Sequence, residues 1–140
     1  MTDFEQFKIK LYDHWILYLH QHQFPYIGRC YAWARREDAA KVTDLSSIEA
    51  KELFEIIIPQ WDQGVRKLFR HDWPNVSILG NEAPHLHAHL IPRYHSLRQF
   101  YGLEFVDSNP KGNYAPYLKK EIPLETLLQI KNDLGAALEH

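Results

Sequence analysis

The sequence predicts an α+β domain in which an antiparallel sheet of about five strands carries one long helix and a C-terminal helix. Three observations lead there. Ala50, Phe54, Ile57, Trp61, Val65 and Leu68 recur at three- and four-residue spacing, which is the pattern of one long amphipathic helix. Short aromatic, aliphatic or alternating runs stand on both sides of that stripe, at residues 15–20, 29–35, 75–79 and 85–94, and read as strands. These strands are grouped around the helix instead of alternating with helices one for one, which argues against repeated βαβ units.

Composition sets the outer bounds. At 140 residues the chain has the length of one domain, enough to bury roughly two-thirds of its unfolded surface without a disulfide or metal staple. Hydrophobic residues at 45% and charged residues at 24% exclude intrinsic disorder. The net charge of -2 gives no sign of a polyanion-binding surface, so nucleic acid is not an expected partner. Cys30 is the one cysteine, which leaves no intrachain disulfide and no Cys-built zinc site. The longest apolar run, Phe54 to Pro59, is broken by Glu55 and falls far short of the ~18–20 residues of a membrane span. The opening MTDFEQFKIK is acidic and polar, unlike a signal or transit peptide, so the expected location is the cytoplasm. Without a secretory signal the Asn75-Val76-Ser77 sequon is read as chance. Leu138-Glu139-His140 reads as the start of a vector-derived polyhistidine tag, which leaves residues 1–137 as a single domain.

In chain order, residues 3–12 show only weak helical periodicity. The strands at 15–20 and 29–35 are separated by Pro25 and Gly28, a turn-bearing connection. Ser46-Ser47-Ile48-Glu49 is a capping box that starts the long helix, which runs to about Arg70. Pro59 lies inside it and should kink it, because its ring removes one backbone hydrogen bond. The strands at 75–79 and 85–94 flank a short Gly80-Asn81 turn. Residues 99–106 read as one further strand, 107–120 as a loop with two prolines and Gly112, and 123–138 as the second helix, buried through Leu124, Leu127, Leu128, Ile130 and Leu134.

Nine histidines stand in the chain, and three of them form a pattern. His85-Leu86-His87-Ala88-His89-Leu90-Ile91 alternates strictly. On a strand His85, His87 and His89 therefore share one face, and Leu86, Ala88 and Leu90 anchor the other in the core. Neighbouring imidazoles on that face stand ~7 Å apart along the strand. Three satisfied core histidines in strict alternation would be a poor account of such a row. Two chemistries suit it. One is metal binding, although consecutive same-face residues on a straight strand converge badly, so a third ligand would have to come from elsewhere, with Glu82 and His95 as candidates. The other is nucleophilic attack on phosphorus by a neutral imidazole, with flanking imidazoles donating to the charged oxygens.

The run resembles the histidine triad (HIT) pattern, His-φ-His-φ-His-φ-φ, at every position, and Ile91-Pro92-Arg93 continues it as in the Fhit-like branch. The likeness spans roughly residues 15–94 and includes the order of elements: two strands joined by a Pro/Gly turn, a long helix, then a strand leading into the motif strand. It implies a HIT-like fold, a homodimer, and hydrolysis of a purine nucleotide ester, amide or anhydride at the α-phosphorus. It makes His87 the nucleophile that forms a nucleotidyl-histidine. It also implies that the carbonyl of His85 holds the proton of His87 on Nδ1, and that His89 donates to phosphate oxygens and helps protonate the leaving group. A dinucleoside polyphosphate and an AMP-amide or aminoacyl-adenylate are comparable substrates. No cofactor is required for attack, and Mg²⁺ would enter only with a polyphosphate.

Three departures from the family pattern bear on this reading. Arg29 stands where many members carry a fourth histidine; it can bind phosphate bidentately but cannot shuttle a proton at neutral pH. Gln21 stands where an Asp or Asn would hold the ribose hydroxyls. The loop before the triad is Gly80-Asn81-Glu82-Ala83-Pro84, with Asn81 in place of a phosphate-binding glutamine. Catalytic candidates are thus His87, His85 and His89, and substrate-binding candidates are Asn81, Arg29 and Gln21, with no metal ligand expected. Arg93 is a further candidate phosphate contact. The four tryptophans read as core or interface anchors, Phe24, Tyr26 and Ile27 as alternative walls of a base pocket, and His14, His20, His22 and His71 as surface or structural residues. Two other classes remain open: a nucleotide-binding module with little turnover, and a metal-dependent enzyme that uses the three histidines as ligands.

Overall fold

A computed structural model describes residues 4–138. Five strands, β1 (Lys8–Leu11), β2 (Trp15–Leu19), β3 (Cys30–Ala34), β4 (Trp73–Ser77) and β5 (His87–Arg93), form one antiparallel sheet in the order β1-β2-β3-β5-β4. The α+β architecture is the one expected, but its fifth strand is a different one. Of residues 3–12, Asp3 lies outside the described residues and 4–12 hold a 3₁₀ turn at Phe4–Phe7 followed by the edge strand β1. A strand of four residues gives alternation little room, and a register shift between Lys8 and Lys10 interrupts it. Its pairing with β2 defines it instead. Residues 99–106, expected as one strand, form a separate hairpin of β6 (Arg98–Phe100) and β7 (Leu103–Phe105). Tyr101 and Gly102 turn the chain with φ values of 56° and 74°, the left-handed pair that suits a two-residue hairpin loop.

The long helix begins at its capping box. Ser46 Oγ accepts from the Glu49 amide at 3.3 Å, and Glu49 Oε1 accepts from the Ser46 amide at 2.9 Å. It runs as α1 (Ser47–Glu52), a wide π-type turn (Leu53–Ile57) and α2 (Ile58–Phe69). Pro59 directly follows the π-type turn, in which the Ile58 amide reaches back five residues to the Leu53 carbonyl. The widened turn is how the helix accommodates its proline. The C-terminal helix is α3 (Leu124–Ala137). Leu138, read above as the first residue of a tag remnant, is buried against Gly64 of α2; Glu139 and His140 lie outside the described residues.

One face of the sheet forms the core. Leu17, Leu19, Ala32, Leu86, Ala88 and Leu90 pack with Leu53, Ile57, Trp61 and Val65 of the long helix and with Leu127, Ile130 and Leu134 of α3. The buried indoles of Trp15 and Trp61 donate to the carbonyls of Glu49 (3.0 Å) and Gly28 (2.9 Å). Gly28 has φ +98°, and a Cβ there would lie 2.9 Å from Val65 Cγ1, so close approach and backbone conformation both require glycine. Trp33, by contrast, lies on the opposite sheet face, and Trp73 is exposed on the edge strand β4. The segment between β7 and α3 straps across part of that opposite face. Arg93 of β5 binds Asp107 and the carbonyls of Asn109 and Gly112, and Tyr26 binds the carbonyl of Tyr114. No described helix is long and apolar enough to cross a membrane.

Candidate functional site

The site occupies the uncovered part of this second face. Strand register assembles it: Trp33 pairs with His87 and Tyr31 with His89 across β3 and β5, and Tyr18 pairs with Tyr31 across β2 and β3. These residues, with Phe4, His20, Gln21 and Ala83, line a cavity of about 510 Å³.

His85 lies just before β5. Its ring stacks on the Trp33 indole, centroids 4.2 Å apart and 15° from parallel. Its Nε2–H donates to the Ala34 carbonyl at 2.6 Å. The backbone carbonyl of the same residue accepts from Nδ1 of His87, also at 2.6 Å. Because a carbonyl can only accept, Nδ1 of His87 carries the hydrogen, and Nε2 in the neutral ring keeps its lone pair. The His87 ring is tilted against Trp33 at 5.5 Å and stands 4.9 Å from His89.

His89 is held in its neutral form. Burial comes first, and then the charges of Arg29 and His87, bringing its pKa down to about 4; its enclosed Nδ1 has no partner. His20 stands 5.9 Å from His89 and is brought down to about 2, again first by burial and then by Arg29. Its Nδ1 accepts from the His22 amide at 3.1 Å, an arrangement that only an unprotonated Nδ1 allows. The sequence alone assigns His20 no role. Its signal lay across strands: the His20 amide pairs with the Arg29 carbonyl, which puts His20 on the face of Tyr18 and Tyr31.

The substrate-binding candidates fall in three different places. Gln21 lines the cavity. Asn81 is exposed, and Ala83 is the residue its loop gives to the wall. Arg29 is 3% exposed, bound to Tyr117 Oη at 2.8 Å and flanked by the rings of Tyr114 and Tyr117. It lies beneath the strap and does not open onto the cavity. Arg93 is no open phosphate contact either, since all five of its N–H groups are bonded within the protein. Phe24 packs against Phe105, and Tyr26 and Ile27 are buried away from the cavity. His71 is buried and paired with Asp62 at 2.6 Å. As for metal ligation, His85 Nε2 and His87 Nδ1 are committed to carbonyls, and no three His, Cys, Asp or Glu among the described residues converge on a metal-sized site. His95 lines a separate cavity with Trp73 and Lys111, and Glu82 is exposed.

No family model and no curated protein matches the chain. Solved structures do. A histidine triad protein from Bradyrhizobium japonicum superposes with a TM-score of 0.72 at 18% identity, covering 94% of this chain and 89% of its own. A histidine triad protein from Marinobacter aquaeolei VT8 gives 0.71 at 22%, covering 94% and 88%. A hypothetical histidine triad nucleotide-binding protein from Sulfolobus tokodaii gives 0.69 at 14%, covering 95% and 83%. At these identities the likeness establishes the fold, and that fold is the one histidine triad proteins share.

Proposed function

We propose that the chain is a histidine triad hydrolase that cleaves nucleotide phosphoanhydrides or phosphoramides at the α-phosphorus. His87 attacks through Nε2, a nucleotidyl-histidine forms, and water releases the mononucleotide. The observation that carries this reading is the bond from Nδ1 of His87 to the His85 carbonyl. It supplies the one tautomer with a nucleophilic Nε2 and needs no neighbouring base. His85 acts through its backbone, and its ring is fixed between Trp33 and the Ala34 carbonyl. His89 donates to the phosphate oxygens. The aromatic wall of Tyr18, Tyr31 and Trp33 suits the flat ring of a purine base, and Gln21 on the rim suits ribose hydroxyls. Attack needs no metal, so Mg²⁺ enters with a polyphosphate substrate alone. We also propose a cytoplasmic location and a homodimer, the latter checked by light scattering on the purified protein.

The test is to mix protein with a diadenosine polyphosphate or adenosine phosphoramidate and quench early for mass spectrometry. The expected result is an adenylyl adduct on His87, absent from His87→Ala together with turnover. Wild-type turnover in His87→Ala would end the assignment. Turnover of the phosphoramidate that disappears with a chelator would favour the metal-dependent alternative. One observation favours a second reading, a nucleotide-binding module with little turnover: Asn81 stands outside the cavity wall and leaves the loop without its expected phosphate donor. Tight nucleotide binding with no adduct would select it.

A further inference from the structure

Arg29 is a buried cation without an anion. Apart from Tyr117 Oη and the two tyrosine rings it has no neighbour that answers its charge, its Nε has no partner, and among the described residues no carboxylate pairs with it. Arg93, the other buried arginine of this sheet face, has Asp107 at 2.7 Å. A guanidinium cannot discharge itself by losing a proton, so its field falls on neighbours that can. Two are at hand. The His20 amide pairs with the Arg29 carbonyl. His89 is diagonal to Arg29 across the β3–β5 ladder, where Tyr31 pairs with His89 and Cys30 with Leu90. The groups facing His89 are His87 on its own strand, His20 beyond the end of β2, Tyr31 on β3 and Ser77 on β4. None is a carboxylate. His20 also meets His22 and the charge of Lys119 from the strap side, and Glu121 acts on His22.

We propose that Arg29 tunes the leaving-group selectivity of this site: by adding its charge to the burial that keeps His89 and His20 neutral, it favours expulsion of groups that depart as stable oxyanions over expulsion of amines. The proposal rests on the reading of His87 as nucleophile. In the anhydride case the Nε2–P bond forms as the bond from phosphorus to the bridging oxygen breaks. The electron pair stays on that oxygen, and a phosphate or nucleoside polyphosphate leaves without needing a proton. In the amide case the P–N bond breaks, and the nitrogen must receive a proton as it leaves, which calls for a cationic imidazole. An imidazole with its ordinary pKa would be charged in about one molecule of four at pH 7. His89, brought down to about 4 first by burial and then by Arg29 and His87, is charged in about one of a thousand, a roughly two-hundredfold smaller supply of acid of which the charge of Arg29 accounts for a part. Arg29 is thus a positioning residue that acts through His89.

The experiment compares kcat/KM for a diadenosine polyphosphate and an adenosine alkylphosphoramidate, which share the transferred adenylyl group, from pH 5 to 8. For the wild type the anhydride should be preferred about a hundredfold at pH 7. Phosphoramidate turnover should climb as the pH falls towards 5 while anhydride turnover does not. Arg29→Met should narrow the preference about tenfold and move the acid limb to higher pH, and Arg29→Lys, which loses the tyrosine contacts but keeps the charge, should retain the wild-type ratio. Equal slowing of both substrates in both variants, with the ratio unmoved, would mean a merely structural role and would overturn the proposal. So would equal wild-type use of the two substrates with no acid limb, a measurement that stands even if Arg29→Met does not fold. If both substrates adenylylate His87 but the ratio does not respond to the charge at position 29, this proposal alone fails. If neither adenylylates His87, the nucleophile reading fails and the proposal falls with it.

Discussion

Replacing Arg93 by methionine separates two accounts of a residue that follows directly after the triad strand's Ile91-Pro92. In the structure its guanidinium is fully used. Nε and Nη2 grip Asp107 at 2.7 and 3.1 Å, Nη1 reaches Asn75 Oδ1 at 3.0 Å and the Gly112 carbonyl at 2.7 Å, and Nη2 reaches the Asn109 carbonyl at 2.6 Å. The two charged side chains are 2% and 1% exposed. Methionine keeps the apolar stem and removes the charge, which leaves Asp107 buried with one remaining donor, the Asn109 amide at 3.1 Å. Breaking a buried pair from one side costs about 3–5 kcal/mol, chiefly because the abandoned charge stays desolvated. Against a typical total of about 5–15 kcal/mol that is a large fraction. Urea unfolding followed by tryptophan fluorescence should show the midpoint falling with the slope unchanged, and limited proteolysis should find new cleavage within residues 107–120. The pair Arg93→Met with Asp107→Leu should recover much of the loss, since an apolar replacement of both partners removes the stranded charge. A loss below about 1 kcal/mol, accompanied by a raised KM for polyphosphate, would refute the structural account and restore Arg93 as a substrate contact.

Other consequences follow from the same geometry. His20 and His89 have folded pKa values below the ordinary 6.5, so below pH ~6.5 the unfolded chain binds protons that the native protein refuses. Stability should fall on acidification by up to about 1.4 kcal/mol per pH unit for each group, with the share of His89 exhausted near pH 4; urea midpoints that are flat between pH 7 and 5 would contradict this. Gly28→Ala forces a methyl to 2.9 Å from Val65 Cγ1 at a positive φ and should cost about 2–4 kcal/mol, read as a lower Tm; an unchanged Tm would show that the α2 contact yields. Trp33→Ala removes the ring on which His85 stacks, a contact worth about 0.5–1.5 kcal/mol. It should lower kcat about three- to tenfold by loosening the carbonyl that holds His87, and a change confined to KM would instead make Trp33 a substrate wall alone.

What could be read from the sequence was what local periodicity records. The Ser46–Glu49 capping box and the Leu86/Ala88/Leu90 anchor opposite the histidines stand where the pattern puts them, because each is fixed within a few residues of its own chain. The helical stripe holds at Ile57, Trp61 and Val65, but the π-type turn shifts its phase, so that Leu53 is buried and Phe54 is 50% exposed. β1 was missed because four residues with a register shift carry almost no alternation. The β6–β7 hairpin was missed because its turn depends on Tyr101 adopting a left-handed conformation that few residues other than glycine accept readily. The site was half legible for the same reason. The alternation of His85, His87 and His89 is local, but the place of His20 beside them depends on β2–β3 register. The burial of Arg29 depends on tyrosines 85 and more residues away in sequence, and the occupation of Arg93 depends on loop carbonyls that no motif announces.

Two properties of the site have separate structural origins. His87 takes its tautomer from a backbone carbonyl. No side-chain substitution removes that acceptor while β5 keeps its register with β3, so the tautomer of His87 belongs to the fold itself. The protonation state of His89 has a different origin: it depends on burial and on a side chain one strand away, at position 29, with which no carboxylate pairs among the described residues. An imidazole at position 29 could lose its proton and relieve His89; a guanidinium cannot. On the proposed mechanism, a single exchange there would leave attack intact and change which leaving groups can depart. Attack and departure would then be separately adjustable, one through the backbone that fixes the His87 tautomer and the other through burial and one buried charge.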